Sequence, residues 1–358
     1  MSDRLQRSRM LLDAAGVHGI VVSDAVDVRY LSGFRGDDAT LVVTRDAALI
    51  CTDARFWEQV REEVAEFTLM KTSGELWAET AAAAAECLSP AATLGFQGGS
   101  VSYADYRTLR RRHRGGLRDL RSRVSLLRVV KSAAEVALMR RAAEVTDAAV
   151  AAVVGKGLVG RSEADVAWHL RAEYHRLGAE GEAFPAIVAG GAHGAQAHAL
   201  PGDRVIAAGD LVVMDTGARV DGYCSDITRT FAAGPPAPAS RAIYDVVLEA
   251  QLAGLAATHA GAHGQADVDA ACRAVIAAAG YGEAFGHGTG HGVGLAVHEA
   301  PALGRTRGDR LEAGMVCTVE PGIYLEGGLG VRIEDTVLVT EDGCERLTRY
   351  PKELQVIA

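Results

Sequence analysis

Short apolar runs alternate with amphipathic stretches through the first third of the chain. Gly19-Ile20-Val21-Val22, Thr40-Leu41-Val42-Val43 and Ala48-Leu49-Ile50-Cys51 predict strands, and residues 55–66 predict a helix. This mixture describes a small α/β unit. Over residues 107–131 the pattern gives way to nine arginines and one lysine broken by Gly115-Gly116, which predicts exposed structure leading into a linker. A boundary near residue 125 follows, with one domain over 1–125 and a second over 126–358. Ser132-Ala133-Ala134-Glu135 has the form of a capping box, in which hydroxyl and carboxylate satisfy reciprocal backbone donors where a helix starts. Helices are expected over 133–154, 163–177, 240–258 and 266–279. The intervening Val-, Ile- and Thr-rich segments come in hairpin-like pairs, so the expected arrangement is helices on one face of a mainly antiparallel sheet.

Composition narrows the setting. With 358 residues, 49% hydrophobic and 23% charged, the chain can bury the cores of two domains and is not of disordered type. The amino-terminal residues have no signal-peptide pattern, and no uncharged stretch is long enough to span a bilayer, so no membrane partner is expected. Six cysteines without a close pair are expected as reduced thiols, and the expected compartment is the cytoplasm. The balance of 37 basic against 46 acidic residues, net −9, disfavours nucleic acid as a partner. The arginine-rich stretch has little aromatic interleaving and reads as a solvated face rather than an RNA-binding patch.

Candidate chemistry lies in the second domain. Leu211-Val212-Val213-Met214-Asp215 and Tyr223-Cys224-Ser225-Asp226 flank Asp221-Gly222, a strong two-residue turn signal. Pairing Val220 with Tyr223 sets Asp226 opposite Gly217, with Asp215 two positions further along the same face. Two acids among apolar neighbours resist ionisation unless a cation holds them, although aspartates also serve simply to satisfy turn backbone groups. A second hairpin repeats the pattern: pairing Tyr324 with Gly330 sets Glu320 opposite Glu334. Val319, Ile333 and Val337 predict buried surroundings for that pair, against the alternative of a solvated edge. Gly286-His287-Gly288-Thr289-Gly290-His291 and the following His298-Glu299 place three histidines within twelve residues, in a glycine-rich loop that lets backbone approach closely. Four carboxylates and one imidazole suit a pair of hard or borderline divalent ions such as Mn, Co, Fe or Zn.

The order Asp215, Asp226, His291, Glu320, Glu334 resembles the pita-bread metallopeptidases, in particular their aminopeptidase P and prolidase branch. Met214-Asp215-Thr216-Gly217, Ser225-Asp226-Ile227-Thr228-Arg229-Thr230, Gly290-His291-Gly292-Val293-Gly294-Leu295, Thr318-Val319-Glu320-Pro321-Gly322 and Val331-Arg332-Ile333-Glu334-Asp335 carry it. Thr52-Asp53-Ala54-Arg55-Phe56 resembles the creatinase-like amino-terminal domain of that branch, and Tyr350-Pro351-Lys352-Glu353-Leu354 its usual ending. The resemblance implies an α+β chain, with a creatinase-like α/β domain before a pita-bread catalytic domain. It also implies a hydrolase of Xaa-Pro bonds in short peptides that uses two metal ions, Mn foremost, and a bridging hydroxide. By the same resemblance Asp226 and Glu334 bridge both metals, Asp215 binds one, and His291 with Glu320 binds the other. Glu320 also relays the proton, and His298 steadies the tetrahedral intermediate. His198 and His287 line the pocket, Arg332 supports Glu334 or meets a substrate carboxylate, and the assembly is a homodimer. The competing readings are an inactive pita-bread module that only binds peptides or proteins, and an aminopeptidase of broader specificity. A metal-free creatinase-type hydrolase is disfavoured because its chemistry does not need these carboxylates.

Overall fold

The structure is a computed structural model and describes residues 3–357. The chain divides into two compact units, Met1–Arg128 and Val129–Ala358.

The first unit is built on a six-stranded mixed sheet. Gly19–Val22 runs antiparallel to Thr40–Thr44 and parallel to Leu94–Phe96; Ala48–Thr52 with Thr68–Lys71 extends one side and Leu117–Asp119 the other. Both faces of the central strands are buried, which is why they read as continuous apolar runs. The helix expected over 55–66 is confined to Trp57–Glu63. Asp53 stops it at the front: its carboxylate accepts from the Arg55 backbone N–H at 3.0 Å and its carbonyl from Phe56 at 3.1 Å, a turn that competes with helix.

The arginine-rich stretch is exposed as expected at eight of its nine arginines, all but Arg128, yet it is regularly folded. It contains the helix Tyr103–Arg112, the strand Leu117–Asp119 and a 3₁₀ turn Ser125–Arg128. Arg128, expected to be exposed, is buried with its Nε 2.8 Å from an Asp27 carboxylate that also accepts from Ser125 and Gln97. A partner 101 residues away supplied a buried place for a charge that composition assigns to solvent.

In the second unit the helix Ala133–Val154 begins at the expected capping box, both arms of which are formed. Pro238–Ala256 starts earlier than expected because Pro238 suits a first helical turn, where its missing N–H has no intrahelical acceptor. The region expected as one helix over 266–279 is a π-helical segment, Gly264–Asp269, followed by α-helix over Ala270–Ala278. Tight packing accounts for the wider turn: a Cβ at Gly264 would collide with the Ala302 carbonyl, and the Asp269 carboxylate is held by Thr289 and Arg273.

The strands are almost all antiparallel. A four-stranded sheet runs Val356–Ile357, Ile227–Ala233, Leu211–Thr216, Ile187–Gly190, with only its first pair parallel. A five-stranded sheet runs Glu299–Leu303, Gly290–Gly292, Val316–Val319, Asp335–Val339, Cys344–Arg346. Val247, Ala250, Cys272 and Ile276 from the helices pack with Val319, Ile333 and Val337 in one core cluster, and Val150, Leu170 and Tyr174 with Val212, Met214 and Phe231 in another. Each such large apolar side chain stabilises the fold by roughly 1.5–3 kcal/mol before entropy is counted, which makes these sheets rigid supports for polar groups at their ends. All six cysteines are free. Among the described residues no helix is long and apolar enough to cross a membrane.

Candidate metal centre

Two hairpins bring four acids together. Asp221 and Gly222 both have positive φ, 48° and 80°, as a type I′ turn requires. Val220 pairs with Tyr223, and the same register continues to Thr216 with Ile227 and Asp215 with Thr228. In the second hairpin Gly322 pairs with Arg332 and Val319 with Asp335, one register that sets Glu320 across from Glu334 in the gap between the two ladders. Acids at such a break escape the regular ladder and can turn their carboxylates inward.

The imidazole comes from the glycine loop. A Cβ at Gly290 or Gly292 would run into the carbonyl of Thr318 or Ala300, so only glycine lets the segment bearing His291 lie this close to its neighbours. His291 Nδ1 lies 3.1 Å from the Gly292 carbonyl and donates to it, which turns Nε2 toward Glu320 Oε1 at 3.3 Å and Asp226 Oδ2 at 3.7 Å.

Asp215, Asp226, His291, Glu320 and Glu334 all line one cavity of about 250 Å³ together with His198, His287, His298 and Arg332. Donor atoms of Asp226, His291 and Glu334 fall within 4.8 Å of one another. Asp215 and Glu320 stand beside this trio, held by Arg332 and His291 respectively. Asp226 and Glu334 are buried, 4% and 1% exposed. Burial, then the neighbouring carboxyls, holds both well above the usual carboxylate range. Burial also raises Asp215, against the pull of Arg332. Burial pushes Glu320 up too, but hydrogen bonding to His291 and the charges of His291, His287 and Arg332 bring it down to about 2. His291 shows the reciprocal effect: burial would lower its pKa, and Glu320 raises it.

These observations test whether the residues fit a metal. Asp215 Oδ1 is buried and has no hydrogen-bonding partner among the described residues. A buried oxygen without a donor, three donor atoms at coordinating separation and crowded acids whose pKa values burial raises are satisfied together by divalent cations. The donor set fits.

Around it lies a hydrogen-bonded frame. Thr228 Oγ1 donates to Glu334 Oε2 at 2.6 Å and accepts from Arg332 Nε at 3.1 Å. Arg332, 3% exposed, also donates to Asp215 Oδ2 at 2.6 Å, the Ala197 carbonyl at 3.2 Å and the Tyr324 hydroxyl at 2.7 Å. His287 Nδ1 donates to the Gly288 carbonyl, so its Nε2 accepts from Tyr324 at 2.8 Å. Burial lowers the pKa of His287. His298 is exposed, its ring centroid 4.3 Å from that of His291; partial burial and that neighbour lower its pKa. His198 is exposed and lines the cavity.

Sequence reasoning gave no role to Tyr324, to the apolar wall of Phe184, Ile187 and Val297, or to Lys131. Tyr324 lies in the second hairpin, opposite Gly330, but nothing local marks a tyrosine that joins Arg332 to His287. Lys131, expected to be exposed, is buried, with its Nζ 2.6 Å from Glu299, the residue after His298. Arg229 is buried as well: it donates to Asp335 at 2.8 Å and to the Glu334 carbonyl, and grips the Tyr350 and Pro351 carbonyls. Lys352 completes that cluster, 2.8 Å from Asp335.

A mainly antiparallel sheet with buried carboxyls and an imidazole at its strand breaks belongs to a known class. Residues 137–341 match metallopeptidase family M24, and residues 4–130 match the creatinase/prolidase N-terminal domain; the chain is a metallopeptidase of family M24 with the α+β pita-bread fold. Particular relatives are similar over nearly the full length. A Xaa-Pro dipeptidase of Pyrococcus furiosus is 34% identical, covering 99% of this chain and 100% of its own. The structure of a Xaa-Pro dipeptidase from Bacillus anthracis superposes with TM-score 0.95 at 37% identity, covering 99% of both chains. That of an X-Pro aminopeptidase from Thermotoga maritima gives 0.90 at 32%, covering 99% of this chain and 100% of its own.

Proposed function

We propose that this metallopeptidase hydrolyses Xaa-Pro bonds in dipeptides or at the amino terminus of short peptides, with two divalent ions held by Asp215, Asp226, His291, Glu320 and Glu334. The observation that carries the reading is the convergence of these five side chains on one cavity, with an unsatisfied Asp215 oxygen among them. The names and full-length similarity of the relatives support the choice of bond. Manganese is the proposed metal, with Co, Zn and Fe as substitutes of similar chemistry. When bound, such ions polarise a peptide carbonyl and lower the pKa of water into the neutral range.

The chain's own residues would divide the remaining work. Asp226 and Glu334 would be shared between the ions, Asp215 would hold one, and His291 with Glu320 the other. Glu320, which lines the cavity beside His291, would take a proton and pass it to the leaving nitrogen. That transfer is needed because a proline nitrogen leaves without a hydrogen of its own. His298 would donate a hydrogen bond to the carbonyl oxygen as charge develops there, and His198 and His287 would contact the peptide. The hydrogens of Arg332 are directed at Thr228, Ala197, Tyr324 and Asp215, which favours support of Asp215 and, through Thr228, of Glu334 over capture of a substrate carboxylate. Phe184, Ile187 and Val297 offer an apolar surface for a proline ring or the preceding side chain. A homodimer, supported by the family resemblance, and action in the cytoplasm, supported by six free cysteines, belong to the same proposal.

The test is cleavage of Ala-Pro and Ala-Pro-Ala beside Ala-Ala by the manganese-loaded protein. Cleavage confined to the proline peptides is expected. Equal cleavage of Ala-Ala contradicts the proline reading and points to the broader aminopeptidase.

Metal binding should also depend on pH with a definite sign. Asp226 and Glu334 have pKa values raised above the ordinary 3.8 and 4.5. Their protonated forms therefore stabilise the metal-free fold at low pH, and that contribution is lost as pH rises through the raised values. A cation must displace those protons, so the gain in melting temperature on adding manganese should shrink as pH falls through the raised values. A gain that grows on acidification contradicts this account of the acids.

A further inference from the structure

The loop from Phe285 to Thr289, which leads into the strand Gly290–Gly292, has no regular secondary structure, yet it carries His287. Glycines at 286 and 288 leave its backbone more freedom than other residues would, so something outside the loop must hold its conformation. One side chain on the neighbouring helix does so. Arg273 Nη1 donates to the Phe285 carbonyl at 2.9 Å and Nη2 to the His287 carbonyl. The same guanidinium lies 4.2 Å over the Phe285 ring, and that ring meets the His287 imidazole edge-on at 5.1 Å.

Arg273 is itself held in place. Asp269, one helical turn earlier, accepts from its Nε at 2.6 Å and Nη2 at 3.1 Å. The Asp269 carboxylate also accepts from the Thr289 backbone N–H at 3.1 Å and hydroxyl at 2.9 Å. Asp269 is 2% exposed and Thr289 fully buried, so the carboxylate end of this brace is shielded from competing water, while the Arg273 side chain is 21% exposed. A planar fork with five donors can reach two carbonyls and a carboxylate at once; an ammonium cannot.

We propose that Arg273, braced by Asp269, is a positioning residue that sets His287 in the substrate cavity. Arg273 does not line that cavity and acts only through the loop. The inference rests on the proposed contact of His287 with substrate. Without the guanidinium the loop relaxes, and a displacement of about 1 Å at a contact group costs on the order of 10²-fold in rate.

The experiment is a double-mutant cycle on the full-length, manganese-loaded protein with Ala-Pro, using Arg273→Met, which keeps the apolar stem, His287→Ala and the pair. Arg273→Met is expected to lower kcat/KM by about 10- to 100-fold with metal content unchanged. The double variant should fall within about 3-fold of His287→Ala alone, because the two residues act as one unit. Multiplying effects on an impaired His287→Ala background overturn the inference alone, as does an Arg273→Met protein with unaltered kinetics. His287→Ala with parental kinetics overturns the reading of His287 and the inference with it. Should Arg273→Met not fold, Arg273→Lys enters the same cycle with the same expected non-additivity.

Discussion

Glu334→Ala is expected to give a folded protein that neither retains divalent metal nor cleaves peptide. The side chain is 1% exposed, lies with Asp226 and His291 inside coordinating distance, and receives one hydrogen bond, from Thr228. Leaving that hydroxyl without its acceptor costs about 1–3 kcal/mol. Removing one of several crowded acids relieves repulsion of the opposite sign, so the metal-free variant should melt close to the metal-free parent. A ligand shared by two ions serves both, and its loss should take metal content and turnover down together; Asp226→Ala should behave alike. Elemental analysis beside an Ala-Pro assay decides, and turnover with full metal content would refute the assignment.

His298→Ala should separate the two properties. Its ring approaches His291 to 4.3 Å but is exposed, so truncation disturbs neither the core nor the four carboxyls. Metal content and melting temperature should stay at parental values. If His298 donates to developing carbonyl charge as proposed, its loss lowers kcat by about 10²–10³-fold. Kinetics equal to the parent's would remove His298 from the chemistry.

What could be read in advance was local. Asp221-Gly222 declared its turn, and a two-residue turn propagates one register along both strands, so the placement of Asp215 and Asp226 followed. Tyr324 against Gly330 did the same for Glu320 and Glu334, and Ser132 with Glu135 marked a helix start to the residue. What composition hid was long-range. Arg128 and Lys131 look like surface charges until Asp27 and Glu299 are seen beside them, 101 and 168 residues away in sequence. The π-helical turn before Ala270 was equally illegible, because alanine-rich sequence favours an ordinary helix and the contacts that widen the turn come from Ala302, Thr289 and Arg273.

The buried charges behind the site tie these levels together. Arg229 and Lys352 both bind the single carboxylate of Asp335, the residue after Glu334, and Arg229 also holds the carbonyls of the carboxy-terminal Tyr350-Pro351 segment. An ion cluster of this kind contributes little net stability over an apolar core, and breaking it by removing one member costs about 3–5 kcal/mol. Its position is better explained by the need to fix the strand that presents Glu334.

This cavity is proposed to hold a pair of cations. Calorimetric titration of chelator-treated protein with manganese tests it most directly: two equivalents per chain should bind, with peptide cleavage appearing as they do. Undiminished cleavage by the stripped protein, or saturation at fewer than two equivalents per chain, would contradict it.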